Sequence, residues 1–216
     1  MKILSFTFNP FMENSYVILD DSEQECLIID PGCYEASEQE ELSNTIRDHG
    51  VRPSRLINTH CHIDHVLGDK FVCDHYGLKP EMHEKELVLL EGVNEYAPVY
   101  GFRFEAPPRP DRFIQEGEHI EFGTSSLEVL LVPGHSPGHI VLYDRKGGAL
   151  IGGDVLFQGG IGRTDFPHCD HDTLISGIRD KLFNLPDETV VHPGHGPSTT
   201  IGQEKLSNPF VGGVRG

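Results

Sequence analysis

The stretch Thr59-His60-Cys61-His62-Ile63-Asp64-His65 decides how this chain is read. It follows directly on Arg55-Leu56-Ile57-Asn58-Thr59, a short apolar run that reads as a strand. His60 and His62 are two apart, so on an extended segment their imidazoles point to the same side. Asp64 and His65 come where the chain turns into a helix, which lets them face a second point nearby. Ligand-type residues packed this closely on a strand-to-helix loop are the pattern of a metal centre rather than of a polar surface loop.

Further along, the same grammar recurs at three more strand ends. His135 lies in Pro133-Gly134-His135-Ser136-Pro137-Gly138, Asp154 in Gly152-Gly153-Asp154, and His195 in His192-Pro193-Gly194-His195-Gly196. Each is flanked by glycine, which permits unusual backbone angles and a close approach to an ion. One such residue alone is an ordinary loop residue, but the repetition points to a shared site. Of the 13 histidines, His49, His75, His83 and His119 have no ligand-rich neighbours and read as surface or core residues. His139 and His192 border strands, where packing or orientation of a ligand is the expectation. His168-Cys169-Asp170-His171 looks like a second metal cluster, yet Asp170 or Asp172 also makes a good N-cap for the next helix. The cap is the preferred reading.

Around these loops the chain reads as mixed α/β. Strands are expected at 2–8, 15–19, 26–30 and 55–59. A helix follows the third strand over 37–49, started by a Ser37/Glu40 capping box and closed by Gly50. Further helices are expected through 70–75, 84–91 and 172–184, and further strands at 127–132, 140–143, 149–151 and 189–191. Residues 93–112, with Pro98, Pro107, Pro108 and Pro110, read as a long irregular loop.

A chain of 216 residues fits one domain, 1–216. With 17 basic against 34 acidic residues the formal charge is −17, which repels phosphate backbones and anionic lipid. Nucleic acid and membrane are therefore not expected as partners. No secretory signal or apolar span is legible. The five cysteines, with no CxxC pair, read as reduced thiols of a cytoplasmic protein.

On the residues quoted, the chain resembles the metallo-β-lactamase-fold superfamily, whose signature is HxHxDH followed in order by a histidine, an aspartate and a histidine. The resemblance implies an α/β fold, an αββα sandwich of two mixed β-sheets with helices on the outer faces. It also implies two divalent metal ions, zinc first with iron or manganese as alternatives. His60, His62 and His135 would hold one ion, Asp64, His65 and His195 the other, and Asp154 would bridge them. Gly153-Asp154-Val155-Leu156-Phe157 and Gly162-Arg163-Thr164-Asp165-Phe166-Pro167 resemble the glyoxalase II group, and the ending Gly194-His195-Gly196-Pro197-Ser198-Thr199-Thr200 with Asn208-Pro209-Phe210 is similar to its short, single-domain bacterial members. That implies hydrolysis of a small-molecule thioester such as S-D-lactoylglutathione by a hydroxide held between the metals. Asp64 would orient that hydroxide and Arg163 would contact the substrate. The alternatives are a mononuclear iron persulfide dioxygenase, which shares the HxHxDH loop, and a metal-binding protein without turnover.

Overall fold

The computed structural model describes residues 1–22 and 24–213. It divides into two compact units, Met1–Ile114 with Glu121–Ser126, and Gln115–Ile120 with Leu127–Gly216.

The first unit opens on a hairpin. Strand β1 (Lys2–Phe8) runs antiparallel to β2 (Glu13–Leu19), with Lys2 opposite Leu19 and Phe8 opposite Glu13. β3 (Glu25–Ile29) continues the antiparallel meander. Helix α1 (Ala36–His49) then carries the chain over to β4 (Arg52–Ile57), parallel to β3, and a short β5 (Pro80–Glu81) extends the parallel side. The sheet is mixed, in the order β1-β2-β3-β4-β5. Alternate residues Val17, Leu19, Cys26, Ile28 and Leu56 pack with Leu42 and Ile46 of α1 and with Val72 of α3 (Asp69–Tyr76). Ile18, Leu27, Ile29 and Ile57, on the opposite face, are equally buried. A strand buried on both faces has no polar alternation to read, which is why residues 17–19 of β2 and 26–29 of β3 are continuous apolar runs.

Helix α1 starts at Glu35, not at Ser37 as the sequence pattern suggests. The carboxylate of Glu38 accepts from the backbone N–H groups of Tyr34 (2.7 Å), Glu35 (2.9 Å) and Asn9 (2.6 Å). Glu40 is exposed and offers none of these charge-assisted bonds, so the earlier box wins. The end behaves as expected: Gly50 takes the left-handed conformation (φ 68°) that an L side chain resists. The expected irregular stretch is shorter than the prolines imply. Helix α4 (Leu87–Tyr96) runs into it and a 3-10 turn continues to Tyr100; Pro98 sits in the first turn of that 3-10 segment, where a missing N–H costs nothing.

The second sheet has the order β13-β12-β9-β8-β7-β6. Strands β6 (His119–Phe122), β7 (Ser125–Leu131), β8 (Ile140–Asp144) and β9 (Ala149–Gly153) are followed by the hairpin β10 (Leu156–Phe157) and β11 (Gly160–Ile161). After helix α5 (His171–Asp180), β12 (Val190–Pro193) pairs parallel with β9, and β13 (Thr199–Thr200) pairs antiparallel with β12. Leu174 and Ile178 of α5 and Ile201 of α6 (Ile201–Ser207) pack with Val141, Leu150 and Val191 of this sheet. Asp170 is the N-cap of α5, its side chain accepting from the N–H of Thr173 at 2.7 Å. The preferred reading of the 168–171 cluster therefore holds at Asp170. The helix stops at Asp180, with a 3-10 turn over Leu182–Asn184 in place of its expected last turn.

The β1–β2 turn is built on Asn9, a non-glycine residue at φ 52°. Its amide donates to the carbonyl of Gly32 at 3.0 Å and to that of Asp64 at 3.1 Å. Asn9→Ala keeps the unfavourable backbone angle and loses both bonds, so a loss of roughly 1–3 kcal/mol is expected in chemical unfolding. Asn9→Gly relieves the angle and should lose less; equal losses would show that the backbone angle carries no strain.

Candidate metal centre

In the first unit the HxHxDH loop leaves the end of β4 and enters a single-turn helix, α2 (Ile63–Val66), with His62 as its N-cap. His60 and His65 are fully buried, while His62 and Asp64 keep partial access to solvent. The ring centroid of His60 lies 4.8 Å from that of His62 and 4.1 Å from that of His65, and Nε2 of His65 is 3.8 Å from Oδ2 of Asp64. The structure thus brings all four together within this unit.

Their orientation is set by residues the sequence did not flag. Asp30, at the end of β3 and at φ 48°, accepts from the Thr59 N–H (2.6 Å), the Thr59 hydroxyl (2.5 Å) and Nδ1 of His65 (3.1 Å). With its proton on Nδ1, His65 presents Nε2 as the electron-pair donor, the arrangement typical of a metal-binding histidine and its carboxylate partner. Asp30, His60 and His65 lie close enough to pass for a ligand group of their own, but Asp30 has both oxygens engaged and acts as a support. Glu86 is fully buried and accepts the N–H of Cys61, between His60 and His62, at 2.8 Å. Glu13 is also buried, 3.8 Å from Nδ1 of His65, and burial pushes its carboxyl well above the usual range. Asp30-Pro31-Gly32 was legible only as a strand stop. Nothing in the sequence marks Glu86, which lies on a separate turn 25 residues away.

In the second unit Asp154 follows Gly153 (φ 46°) at the end of β9. Its Oδ2 is 3.6 Å from Nε2 of His135 and 3.5 Å from Nε2 of His195. Those separations are long for hydrogen bonds. They suit donors that share a cation: in a tetrahedral set with bonds of about 2.0–2.1 Å, neighbouring donor atoms lie roughly 3.4 Å apart. Nδ1 of His135 donates to the carbonyl of Arg163 at 2.8 Å, which again leaves Nε2 as the donor to a metal. A Cβ on Gly162 would run into the Asp154 carbonyl and come within 2.9 Å of His135 Nδ1, so only glycine fits there. The Arg163 guanidinium itself is bidentate to Asp165, at 2.7 Å for both bonds, and lies 3.8 Å over the Phe166 ring. Cys169 donates its thiol to the His135 carbonyl at 2.8 Å. The donor types and spacings in both units therefore fit divalent cations.

Comparison with known proteins agrees with this chemistry. Residues 8–195 match the metallo-β-lactamase superfamily. The hydroxyacylglutathione hydrolase GloC of Haemophilus influenzae is 42% identical over 213 residues, covering 98% of each chain. Among solved structures, the BLEG-1 B3 metallo-β-lactamase has a TM-score of 0.88 at 34% identity, covering 98% of this chain and 100% of its own. TTHA1623 in a di-iron-bound form has a TM-score of 0.86 at 37% identity, covering 96% and 99%. The chain belongs to the metallo-β-lactamase superfamily, and its two mixed sheets with their helices are the α/β fold of that family. Within it the chain is a metallo-hydrolase. No helix among the described residues is long and apolar enough to cross a membrane.

Gly162→Ala is expected to displace the His135 ring and lower the metal content of the purified protein, read by elemental analysis. The double change His168→Ala with Cys169→Ala should leave metal content at the wild-type value. The reverse pattern would return the 168–171 cluster to the list of ligands.

Proposed function

We infer that the chain acts along its whole length, 1–216, as one metal-dependent thioester hydrolase of the hydroxyacylglutathione type, with two zinc ions resident. Iron or manganese would be accepted by the same donors. In this reading His60, His62 and His135 would hold one ion, Asp64, His65 and His195 would hold the other, and Asp154 would serve both. The observation that carries it is the Asp154 carboxylate, set at ligand spacing from two imidazoles whose Nε2 atoms face it. The likeness to a hydroxyacylglutathione hydrolase over 98% of both chains supports the substrate class.

When bound, the ions supply an electrophile for the thioester carbonyl and hydroxide near neutral pH. The chain's residues do the rest. Asp64, partly open to solvent in the first turn of α2, orients the attacking hydroxide by accepting a hydrogen bond from it. The departing thiolate has an ordinary pKa near 8.5, so it leaves with little help from an acid. Arg163, whose side chain is more than half exposed, is the candidate contact for a substrate carboxylate, which would compete with Asp165 for the guanidinium. The setting proposed is the cytoplasm, in keeping with five cysteines that are all free thiols.

A β-lactam is the second reading, favoured by the structural likeness to BLEG-1. A panel of S-D-lactoylglutathione, other acyl thioesters and a chromogenic cephalosporin separates the two, with thioester turnover expected to dominate. Metal-loaded protein should carry about two ions per chain. A ceiling of one ion together with oxygen uptake on glutathione persulfide would replace this proposal with a mononuclear dioxygenase. Asp154→Asn keeps the shape but removes the charge facing the ions, so it should lose at least one ion. Its turnover should fall roughly a hundredfold or more, about 2.7 kcal/mol in barrier terms. Asp165→Asn is the control and should retain both ions. Full metal content and near-normal thioester hydrolysis in Asp154→Asn would remove Asp154 from the bridging role.

A further inference from the structure

The Gly153–Asp154 peptide is held from both sides. Its carbonyl accepts the N–H of Gly194 at 2.7 Å, which fixes the loop that carries His195. Its N–H donates to Nε2 of His139 at 3.0 Å. His139 is fully buried, and its own carbonyl is anchored by the Val132 N–H at 2.8 Å. It stands four residues after His135, with the two ring centroids 6.0 Å apart. One peptide plane therefore registers the loops of three residues, His135, Asp154 and His195.

The bond also determines the state of the His139 ring. A backbone amide has only a proton to give, so Nε2 must carry the lone pair and Nδ1 the proton. Asp154 lies just past the end of β9, and a buried N–H that loses its acceptor is strongly disfavoured. Without an acceptor at this point, the turn after Gly153 would rotate to find another partner. The Asp154 carboxylate would rotate with it, away from the two imidazoles it now faces.

We propose that His139 is a positioning residue: as a neutral Nδ1–H imidazole it holds the Asp154 backbone amide and thereby aims the Asp154 carboxylate at the ions. This rests on the reading of Asp154 as a ligand given above. It assigns His139 no contact with substrate or metal.

The test compares His139→Gln, whose side-chain oxygen can still accept the Asp154 N–H, with His139→Leu, which fills similar space and cannot. Zinc binding to the full chain is measured by competition with a chelator, alongside unfolding of the metal-stripped proteins and thioester kcat and KM. The Leu variant should bind the weaker zinc ion roughly 10–100-fold less tightly, the range seen when a partner of a metal ligand is removed. Its kcat should fall while KM stays within about twofold. The Gln variant should recover most of both. Equal losses in the two variants would reduce His139 to a packing residue, and unchanged zinc affinity in the Leu variant would also overturn the proposal. Nitrogen-15 NMR of histidine-labelled wild-type protein gives an independent reading, since an Nε2–H tautomer at His139 is incompatible with it. The zinc comparison and the tautomer stand even if thioesters are not the substrate, so failure of the substrate reading is distinguishable from failure of this one.

Discussion

A neutral imidazole offers its electron pair through the nitrogen that does not carry the proton, so the acceptor of its N–H decides which nitrogen can face a metal, and this chain's candidate metal centre depends on that choice. His65 donates its Nδ1–H to Asp30, and His135 donates its Nδ1–H to the carbonyl of Arg163. Both acceptors are distant in sequence, 35 and 28 residues away. The turn after β3, where Asp30 holds a left-handed backbone angle, is thus part of the site as much as the HxHxDH loop is. Strain of that kind persists only where surrounding bonds over-determine it, and Asp30 has bonds to Thr59 and His65 to do so.

Backbone groups of the loops that carry the candidate ligands are held by the same logic. Asn9 takes the Asp64 carbonyl, Glu86 the Cys61 N–H, and His139 the Asp154 N–H. A loop that bears several ligand-type side chains cannot also satisfy its own backbone with a regular ladder, so side chains from elsewhere complete the hydrogen bonding. This is the pattern of a rigid, pre-set loop.

The first unit's loop is surrounded by buried carboxyl groups. Glu13, Asp30, Asp69 and Glu86 are all buried in this unit, and burial pushes the carboxyls of Glu13 and Asp69 upward. Carboxylates in such surroundings cost stability unless hydrogen bonds or cations offset them. Asp30 and Glu86 are offset by hydrogen bonds. Glu13 lies buried 3.8 Å from Nδ1 of His65.

Much of the fold was legible because it rests on local patterns. The apolar runs of β1, β3, β8 and β9 and the glycine that ends α1 each carry their own signal within a few residues. So does Asp170, whose capping bond reaches only three residues ahead. The start of α1 and the extent of α4 differ from the local pattern because Glu38 is recruited by Asn9, 29 residues away, and because a proline in a first helical turn looks like a loop. For the same reason, the sequence by itself determined which side chains have the chemistry of ligands and that they lie at strand ends. Only the tertiary structure decided which nitrogen of His65 and His135 carries the proton, and which partners hold the Asp64, Cys61 and Asp154 backbones. Those choices are made by hydrogen bonds between residues far apart in the chain, and no local periodicity encodes such a bond.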